Sequence, residues 1–130
     1  MILDTSALVA ILVGEEDGDE LLEALVSATA PKISAATLVE AGIVLDIRTS
    51  PQQRRRLDDL LGAAGVEVVP FDARQAEVAR QAYADFGRGS GHPARLNLGD
   101  TFAYALHRVT GEPMLFKGQD FAAAGVERAG

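Results

Sequence analysis

The sequence MILDTSALVAILV, residues 1–13, is predicted to form a short buried strand, residues 1–4, followed by a helix that ends near Gly14. Asp4 is the only ionisable side chain in this segment and lies where the strand ends. An unpaired charge in apolar surroundings is heavily penalised and is normally matched by an opposite charge, a metal ion or several hydrogen-bond donors. Because no Lys or Arg precedes Lys32, a bound cation is a serious candidate partner for Asp4.

The rest of the chain continues to alternate between helices and strands. Further strands are predicted over residues 32–35, 66–70 and 114–116, with another strand near Val126. Helices are predicted over residues 17–28, 37–47, from Pro51 onward, 72–86 and 98–110, with a short helix near residue 120. This alternation is typical of an α/β fold, in which a parallel sheet of four to five strands is covered by helices on both faces. A chain of 130 residues is expected to form one domain over residues 1–130.

Four acidic residues are placed near one edge of this sheet. In open parallel sheets, sites form beyond the carboxyl ends of the strands, near the point where the strand order reverses. Asp4 ends the first strand, and Asp120 comes shortly after the strand at residues 114–116. Glu40 and Asp100 lie in the first turns of their helices. We therefore expect the four carboxylates to converge at one rim.

Each of these acids also has a structural interpretation. Asp4 could cap the following helix, Asp100 could favour the positive end of a helix dipole, and Asp120 could be an ordinary turn residue. Glu40 is harder to explain in this way. It is the only charge in AATLVEAGIVL, residues 35–45, where apolar residues around the helix predict burial on nearly every side.

Composition narrows the class of protein. With 48% hydrophobic and 24% charged residues, the chain is expected to be globular rather than disordered. We expect neither a membrane span, which needs roughly 20 apolar residues, nor a signal peptide, which has a basic leader. The absence of cysteine excludes disulfides and thiolate metal sites and fits a cytoplasmic location.

The net charge of −7 is unfavourable for a protein that handles nucleic acid, because phosphate contacts are made mainly by Lys and Arg. The charge is unevenly distributed, however. Residues 1–47 carry nine acids against one base, whereas residues 48–130 carry ten acids against eleven bases. Much of the excess lies in the run from Glu15 to Glu23, interpreted as the solvated face of a helix. The overall charge therefore does not exclude a local phosphate-binding surface.

Three segments resemble the PIN domains and, within them, the VapC toxins of toxin–antitoxin pairs. They are MILDTSALVAIL, TLVEAGIVL and, most specifically, LNLGDTFAYALHRVTGEPMLFKGQDF at residues 96–121. The resemblance covers essentially the whole chain and implies a Rossmann-like three-layer α/β fold. It also implies a Mg²⁺-dependent or Mn²⁺-dependent endoribonuclease, in which a metal-activated water hydrolyses RNA phosphodiester bonds.

The resemblance implies a role for each of the four acids. Asp4 and Asp100 match the two acids that bind the metal most directly. Glu40 completes the surroundings of the metal, and Asp120 matches a fourth, more variable acid. Mg²⁺ and Mn²⁺ prefer carboxylate, water and phosphate oxygens, so clustered acids suit either ion. Because packed carboxylates repel one another, we expect raised pKa values without metal and a more stable fold with it.

Smaller polar residues beside the acids also match the family. Thr5 and Ser6 correspond to hydroxyl residues that orient the first aspartate or bind metal-linked water. Asn97 corresponds to a polar residue near Asp100. The match weakens after Asp120, where FAAAGVERAG lacks the Thr-Asp pair that relatives often show before a final strand. This departure leaves open whether a last strand forms near Val126.

Candidate phosphate contacts lie on two segments. Lys117 directly follows the strand at residues 114–116, and Arg88 and Arg95 belong to the Gly-rich loop GRGSGHPAR. A merely solvated loop is the alternative interpretation of that segment. His92, in the same loop, and His107, on a helix among Ala and Arg, are not expected to act as acid or base.

The resemblance implies an RNA substrate (tRNA, rRNA or mRNA), a homodimer and a cognate VapB-type antitoxin. Antitoxins of this kind wrap a groove of the toxin and can insert a basic side chain among the acids. Five apolar residues of the first two helices could contribute to such a groove, and ordinary core packing explains them equally well: Leu8, Ile11, Leu12, Leu21 and Leu25.

Two other functional classes remain open. In an aspartate-based phosphatase or phosphoacceptor domain, Asp4 would be the phosphorylated nucleophile. Ser6 stands where such a phosphatase would carry a second aspartate, which weakens this interpretation. A non-catalytic RNA-binding or protein-binding module would keep the fold without the reaction, and an intact set of four acids argues against it.

Overall fold

The computed structural model describes residues 1–130, which form four strands and seven helices. The strands are β1 (Ile2–Leu3), β2 (Lys32–Ser34), β3 (Glu67–Val69) and β4 (Met114–Leu115). The helices are α1 (Thr5–Val13), α2 (Gly18–Val26), α3 (Ala35–Arg48), α4 (Pro51–Ala63), α5 (Ala73–Phe86), α6 (Leu98–Thr110) and α7 (Asp120–Ala123). The predicted alternation of strands and helices is present.

The four strands pair in parallel in the order β3-β2-β1-β4. In this register Ile2 lies beside Lys32 on one side and beside Met114 on the other. The additional strand predicted near Val126 does not form. That segment makes only an isolated bridge, between Met114 and Arg128. The sheet therefore has four strands rather than five.

Helices cover both faces of the sheet. Successive side chains of a strand point to opposite faces, so Ile2 and Leu3 enter different core clusters. The cluster that contains Leu3 packs against α1, α2, α3 and α4. The cluster that contains Ile2 packs against α5, α6 and α7. The sheet is thus the middle of three layers, as the sequence predicted.

The apolar residues of the first two helices belong mainly to the core. Four of the five residues considered for an antitoxin groove are buried in the cluster around Leu3: Leu8, Leu12, Leu21 and Leu25. Ile11 is only partly buried against the same cluster. Core packing therefore explains four of these side chains and leaves Ile11 with accessible surface.

Helix α3 departs from the sequence prediction because its outward face is apolar and uncovered. The exposed fractions are 62% at Val39, 54% at Ile43 and 79% at Ile47. These three residues, spaced four apart, are called the α3 apolar stripe below. Glu40 is consequently half-buried, and the predicted burial of Glu40 on nearly every side is wrong. None of the seven helices is both long enough and apolar enough to cross a bilayer.

Candidate active site

A cavity lies at the carboxyl ends of the central strands. In the strand order, β2 and β3 lie on one side of β1 and β4 lies on the other, so the order reverses between β1 and β4. Open parallel sheets form their sites at such a point. The cavity has a volume of about 330 Å³ and is called the carboxylate cavity below. Its polar lining residues are Asp4, Thr5, Ser6, Glu15, Glu40, Arg48, Asn97, Asp100 and Lys117.

Asp4 is almost completely buried, with 2% of its surface exposed. It is the N-cap of α1, because its Oδ2 accepts a hydrogen bond from the Ser6 backbone N–H at 2.9 Å. The capping interpretation is therefore correct, but capping uses only one oxygen. The other oxygen, Oδ1, is buried and has no hydrogen-bond partner. Buried polar atoms are rarely left in this state, so Oδ1 is available to a ligand.

Glu40 enters the cavity from the first turns of α3 and lies between two other helices. Its Oε1 accepts a hydrogen bond of 2.5 Å from the Thr5 hydroxyl at the start of α1. Its Oε2 lies against Gly99 of α6, where an added Cβ would be only 1.5 Å away. In this structure the Thr5 hydroxyl therefore orients Glu40 and makes no hydrogen bond to Asp4.

Asp100 is fixed at the start of α6 by a capping box. Asn97 is the N-cap, and its Oδ1 accepts a hydrogen bond from the Asp100 backbone N–H at 2.9 Å. In return, the Asn97 backbone N–H donates to Asp100 Oδ2 at 2.9 Å. Asn97 thus holds both the backbone and the side chain of Asp100 in position.

Burial raises the pKa of both aspartates. Loss of hydration raises the pKa of Asp4 to about 7; hydrogen bonds from Ser6 oppose this rise, and the charges of Asp100 and Glu40 add to it. Loss of hydration likewise raises the pKa of Asp100 to about 6, with a backbone hydrogen bond opposing it and the charges of Glu40 and Asp120 adding to it. The predicted rise is confirmed, but burial contributes more to it than carboxylate repulsion.

Asp120 lies beside the cavity rather than in its lining. It is the first residue of α7 and is exposed. Its charge raises the pKa of Asp100, so the two carboxylates are close enough to interact. The structure therefore brings Asp4, Glu40 and Asp100 into one cavity and places Asp120 at its rim.

Lys117 follows β4 directly and lines the cavity. Its backbone N–H donates to Ser6 Oγ at 3.0 Å, which joins the end of β4 to the start of α1. Its ammonium group forms an ion pair with Glu15 and lies 3.3 Å from Asp17 Oδ1. These contacts, first of all the hydrogen bond to Glu15, raise the pKa of Lys117. This candidate phosphate contact is therefore in place but already engaged by acids.

The two loop arginines differ from Lys117. Arg88 and Arg95 are exposed, and neither lines the carboxylate cavity. Arg88 is near enough to Asp100 for its charge to oppose the rise in the pKa of that carboxyl group. The structure thus places Arg88 within electrostatic reach of the site and shows no such link for Arg95.

Both histidines are occupied by structural contacts. The Nδ1 atom of His92 accepts a hydrogen bond from the Ala94 backbone N–H at 3.0 Å. The Nδ1 atom of His107 lies 2.6 Å from the Glu112 carbonyl oxygen. Neither ring lines the carboxylate cavity.

Three residues of the cavity region were not identified from the sequence. Gly99 could have been, because a glycine inside a helix is less favourable than alanine and often marks a close approach. Glu15 was assigned to a solvated helix face, whereas it lies before α2 and lines the cavity. Arg48, at the end of α3, contacts Glu15 across 33 positions of sequence, and no local pattern signals such a pair.

Comparison with known proteins identifies the family of the chain. A family model described as the PIN domain matches residues 1–127. The chain belongs to the PIN domain family. This PIN-domain chain is 54% identical over 121 residues to ribonuclease VapC42 of Mycobacterium tuberculosis, covering 93% of the chain and 92% of the relative. It is 52% identical over 129 residues to ribonuclease VapC28 of the same species, covering 99% and 97%. Its relatives within the PIN family are thus VapC ribonucleases.

Two solved structures share this fold over nearly their whole chains. VapC20 of Mycobacterium tuberculosis, described as a sarcin-ricin loop cleaving toxin, has a TM-score of 0.78 at 21% identity and covers 96% of this chain and 95% of its own. FitAcB of Neisseria gonorrhoeae has a TM-score of 0.70 at 18% identity and covers 99% and 96%. At these identities the likeness concerns the fold alone.

PIN-domain VapC nucleases are generally metal-dependent, and the residues of the cavity fit a metal ion. The supporting observation is Asp4 Oδ1, a buried carboxylate oxygen without a protein partner. No three His, Cys, Asp or Glu side chains are arranged to hold a metal ion by themselves. Mg²⁺ commonly takes one or two carboxylates and keeps several waters, so a complete protein cage is not required.

Proposed function

We propose that this PIN-domain protein is the toxin of a toxin–antitoxin pair and hydrolyses RNA phosphodiester bonds as a Mg²⁺-dependent or Mn²⁺-dependent endoribonuclease. The observation that carries the proposal is the partnerless Oδ1 of Asp4, in one cavity with the carboxylates of Glu40 and Asp100. Oxygen ligands of this kind are those that Mg²⁺ and Mn²⁺ prefer. The ribonuclease relatives, at 54% and 52% identity, support the reaction.

The position of each acid suits it to a different role in metal binding. Asp4 and Asp100 would be the direct metal ligands, because both are anchored by backbone hydrogen bonds through Oδ2. Glu40, held by Thr5, would complete the set within the cavity, and Asp120 would approach from the rim. A metal held by these residues would polarise the scissile phosphate and would lower the pKa of the attacking water. Protons compete with the metal for both aspartates, because their pKa values are raised to about 7 and about 6.

The other two functional classes are less well supported. An aspartate-based phosphatase would need a second aspartate two residues after Asp4. Ser6 occupies that position, where its backbone N–H donates to Asp4 and its hydroxyl oxygen accepts from the Lys117 backbone N–H. A non-catalytic module has no use for two carboxyl groups, one buried and one half-buried, whose raised pKa values destabilise the ionised fold. The match to ribonucleases over 93% to 99% of the chain favours the catalytic function.

A VapB-type antitoxin would inhibit the protein by covering the carboxylate cavity. The cavity lining holds four acids, Asp4, Glu15, Glu40 and Asp100, against two bases. A basic side chain of a partner would therefore meet a complementary charge there. We place the pair in the cytoplasm, where RNA is available and where a chain without cysteine loses nothing to the reducing conditions.

A homodimer is supported by a second surface, next to the cavity. The α3 apolar stripe continues into Leu98 and Phe102 of α6, which line a shallow apolar cavity of about 410 Å³ with Val39 and Ile43. The same two α6 residues also line a cavity of about 460 Å³ against α5. Contiguous exposed apolar patches of this kind mark interaction sites. We propose that a second copy of the chain covers them.

Inducible expression tests the proposed activity directly. Wild type would be expressed beside Asp4→Asn, Asp100→Asn and the control Asp58→Asn, which alters an exposed acid on α4. We expect wild type and Asp58→Asn to arrest growth and to produce new RNA ends in end mapping, and the other two variants to do neither. Equal toxicity from all four proteins would exclude the nuclease function.

A further inference from the structure

Two cations and one acid meet at the mouth of the carboxylate cavity. Glu15, in the connection between α1 and α2, forms an ion pair with Lys117 and faces Arg48 across 3.6 Å between Oε1 and Nη1. All three residues line the same cavity as Asp4 and Asp100. The Glu15 carboxylate therefore lies between two cations. Asp17, which is outside the cavity lining, is a second acid near Lys117, with its Oδ1 atom 3.3 Å from the ammonium group.

The three residues are positioned by separate parts of the fold. Arg48 is the last residue of α3, and Lys117 is anchored just after β4 by the hydrogen bond from its backbone N–H to Ser6. The Glu15 backbone N–H donates to the Ala10 carbonyl oxygen at 2.9 Å, so the connection is tied to the end of α1. The backbones that carry the two cations are thus positioned independently of the acid that joins the side chains.

The exposure of the cations favours exchange of their partner. Arg48 and Lys117 side chains are 47% and 37% exposed, and ion pairs at such positions contribute little to stability. A phosphate group offers the same negative oxygens as a carboxylate and binds Arg and Lys at least as well. RNA entering the cavity would bring phosphates next to the scissile one to this place.

We propose that Arg48 and Lys117 form a binding site for an RNA backbone phosphate adjacent to the scissile phosphate, and that Glu15 occupies this site until RNA displaces it. The inference rests on the proposed ribonuclease function and adds a binding role for Arg48 and an opposing role for Glu15. The Glu15 carboxylate would compete with the RNA phosphate for the two cations, so removing its charge would strengthen RNA binding.

The test measures binding of a fluorescein-labelled, mixed-sequence single-stranded RNA by anisotropy in EDTA, together with steady-state cleavage in Mn²⁺. Glu15→Gln is expected to lower the Kd and the KM by about 3-fold to 10-fold with kcat nearly unchanged, because Glu15 no longer competes with RNA phosphate for Arg48 and Lys117, while Asp17 stays beside Lys117 in every variant. Glu16→Gln removes the same charge from an exposed neighbour outside the cavity lining, and less than a 2-fold change is expected there. Arg48→Ala and Lys117→Ala are each expected to raise the Kd and to reduce the slope of log affinity against log salt by about 1.

Combining the substitutions distinguishes a phosphate-binding site from an ion pair that only holds the loop in place. In the Lys117→Ala, Arg48→Ala background, Glu15→Gln is expected to have no effect on the Kd, because no cation is left to release. Equal RNA binding by wild type, Glu15→Gln and Glu16→Gln, with cleavage intact, would overturn this proposal and leave the ribonuclease function standing. No RNA binding in EDTA together with no cleavage in Mn²⁺ by any of these proteins would overturn both.

Discussion

The carboxylate of Glu40 occupies the space in which a side chain at position 99 would lie. An ideal Cβ at Gly99 would be 1.5 Å from Glu40 Oε2 and 2.2 Å from its Cδ. On its other side, the Thr5 hydroxyl donates to Glu40 Oε1. One residue each from α1 and α6 therefore fixes an acid that α3 presents to the cavity.

Replacing Gly99 with Ala is predicted to displace Glu40 while the fold persists. The atoms that the new Cβ meets belong to the end of a flexible side chain, which can rotate away. Alanine also favours a helix over glycine by up to about 1 kcal/mol, which offsets part of the strain. We expect the melting temperature to change little and kcat to fall by about 10-fold to 100-fold, the scale of loss for a misplaced catalytic group.

Gly62→Ala is the matched control, since Gly62 lies in α4 and an added Cβ meets nothing within 4 Å. This variant is expected to be as active as wild type and slightly more stable. Gly99→Ala with full activity would show that the position of Glu40 does not matter.

Thr5 is predicted to support catalysis through the hydrogen bond from its hydroxyl to Glu40 and not through the volume of its side chain. Thr5→Val keeps the side-chain volume but removes the donor to Glu40 Oε1, whereas Thr5→Ser keeps the donor. A lost hydrogen bond to a charged group costs about 1.5–3 kcal/mol, so we expect roughly a 10-fold loss of kcat for Thr5→Val. Recovery of most activity in Thr5→Ser would support the hydroxyl, and equal losses in both variants would contradict it.

Stability without metal is predicted to fall as the pH rises. The ordinary pKa of an aspartate is 3.8, and burial in the folded protein raises the pKa of Asp4 to about 7. Between pH 3.8 and about pH 7 the folded protein therefore binds more protons than the unfolded chain. The free energy of unfolding should therefore drop by about 2–4 kcal/mol between about pH 4 and pH 8 in EDTA, measured by urea denaturation. Asp100, whose pKa is raised to about 6, contributes in the same direction.

Asp4→Asn removes the titrating group and serves as the comparison. Its stability in EDTA is expected to depend less on pH and to exceed that of wild type at high pH, because no buried charge must form. A wild-type protein whose stability is the same across this pH range would show that Asp4 is hydrated and not buried.

The α3 apolar stripe is predicted to hold two copies of the chain together. Ile43→Glu places a charge in the middle of the exposed stripe and should shift the protein from dimer to monomer in light scattering coupled to gel filtration. Val26→Glu is the control, because Val26 is also exposed but lies on α2. A dimer that survives Ile43→Glu, or a wild type that is monomeric at high concentration, would exclude this interface.

The sequence predicted where Asp4 and Asp100 lie because the start of a helix marks each of them. Asp4 follows β1, and Asp100 begins a helix with its cap at Asn97, features that are readable from local patterns. The fold class follows in the same way from the alternation of strands and helices. The family resemblance added the reaction and the substrate class.

What could not be predicted depends on contacts between distant segments. The apolar residues of α3 were interpreted as buried, but the packing of α3 leaves Val39, Ile43 and Ile47 uncovered, and sequence does not distinguish a core from an interface. The partner of Lys117 is a residue of the α1–α2 connection more than 100 positions earlier. The segment near Val126 has too few strand contacts to extend the sheet beyond one bridge.

The central claim is that Asp4 and Asp100 hold a divalent metal that the RNA cleavage requires. The most direct measurement follows cleavage of a labelled RNA by purified protein in EDTA and during titration with Mn²⁺ or Mg²⁺, together with the melting temperature at each concentration. Wild type is predicted to be inactive in EDTA and to gain activity and thermal stability over the same metal range, whereas Asp4→Asn and Asp100→Asn remain folded and gain neither. Cleavage that continues in EDTA, or equal metal-dependent stabilisation of all three proteins, would contradict the claim.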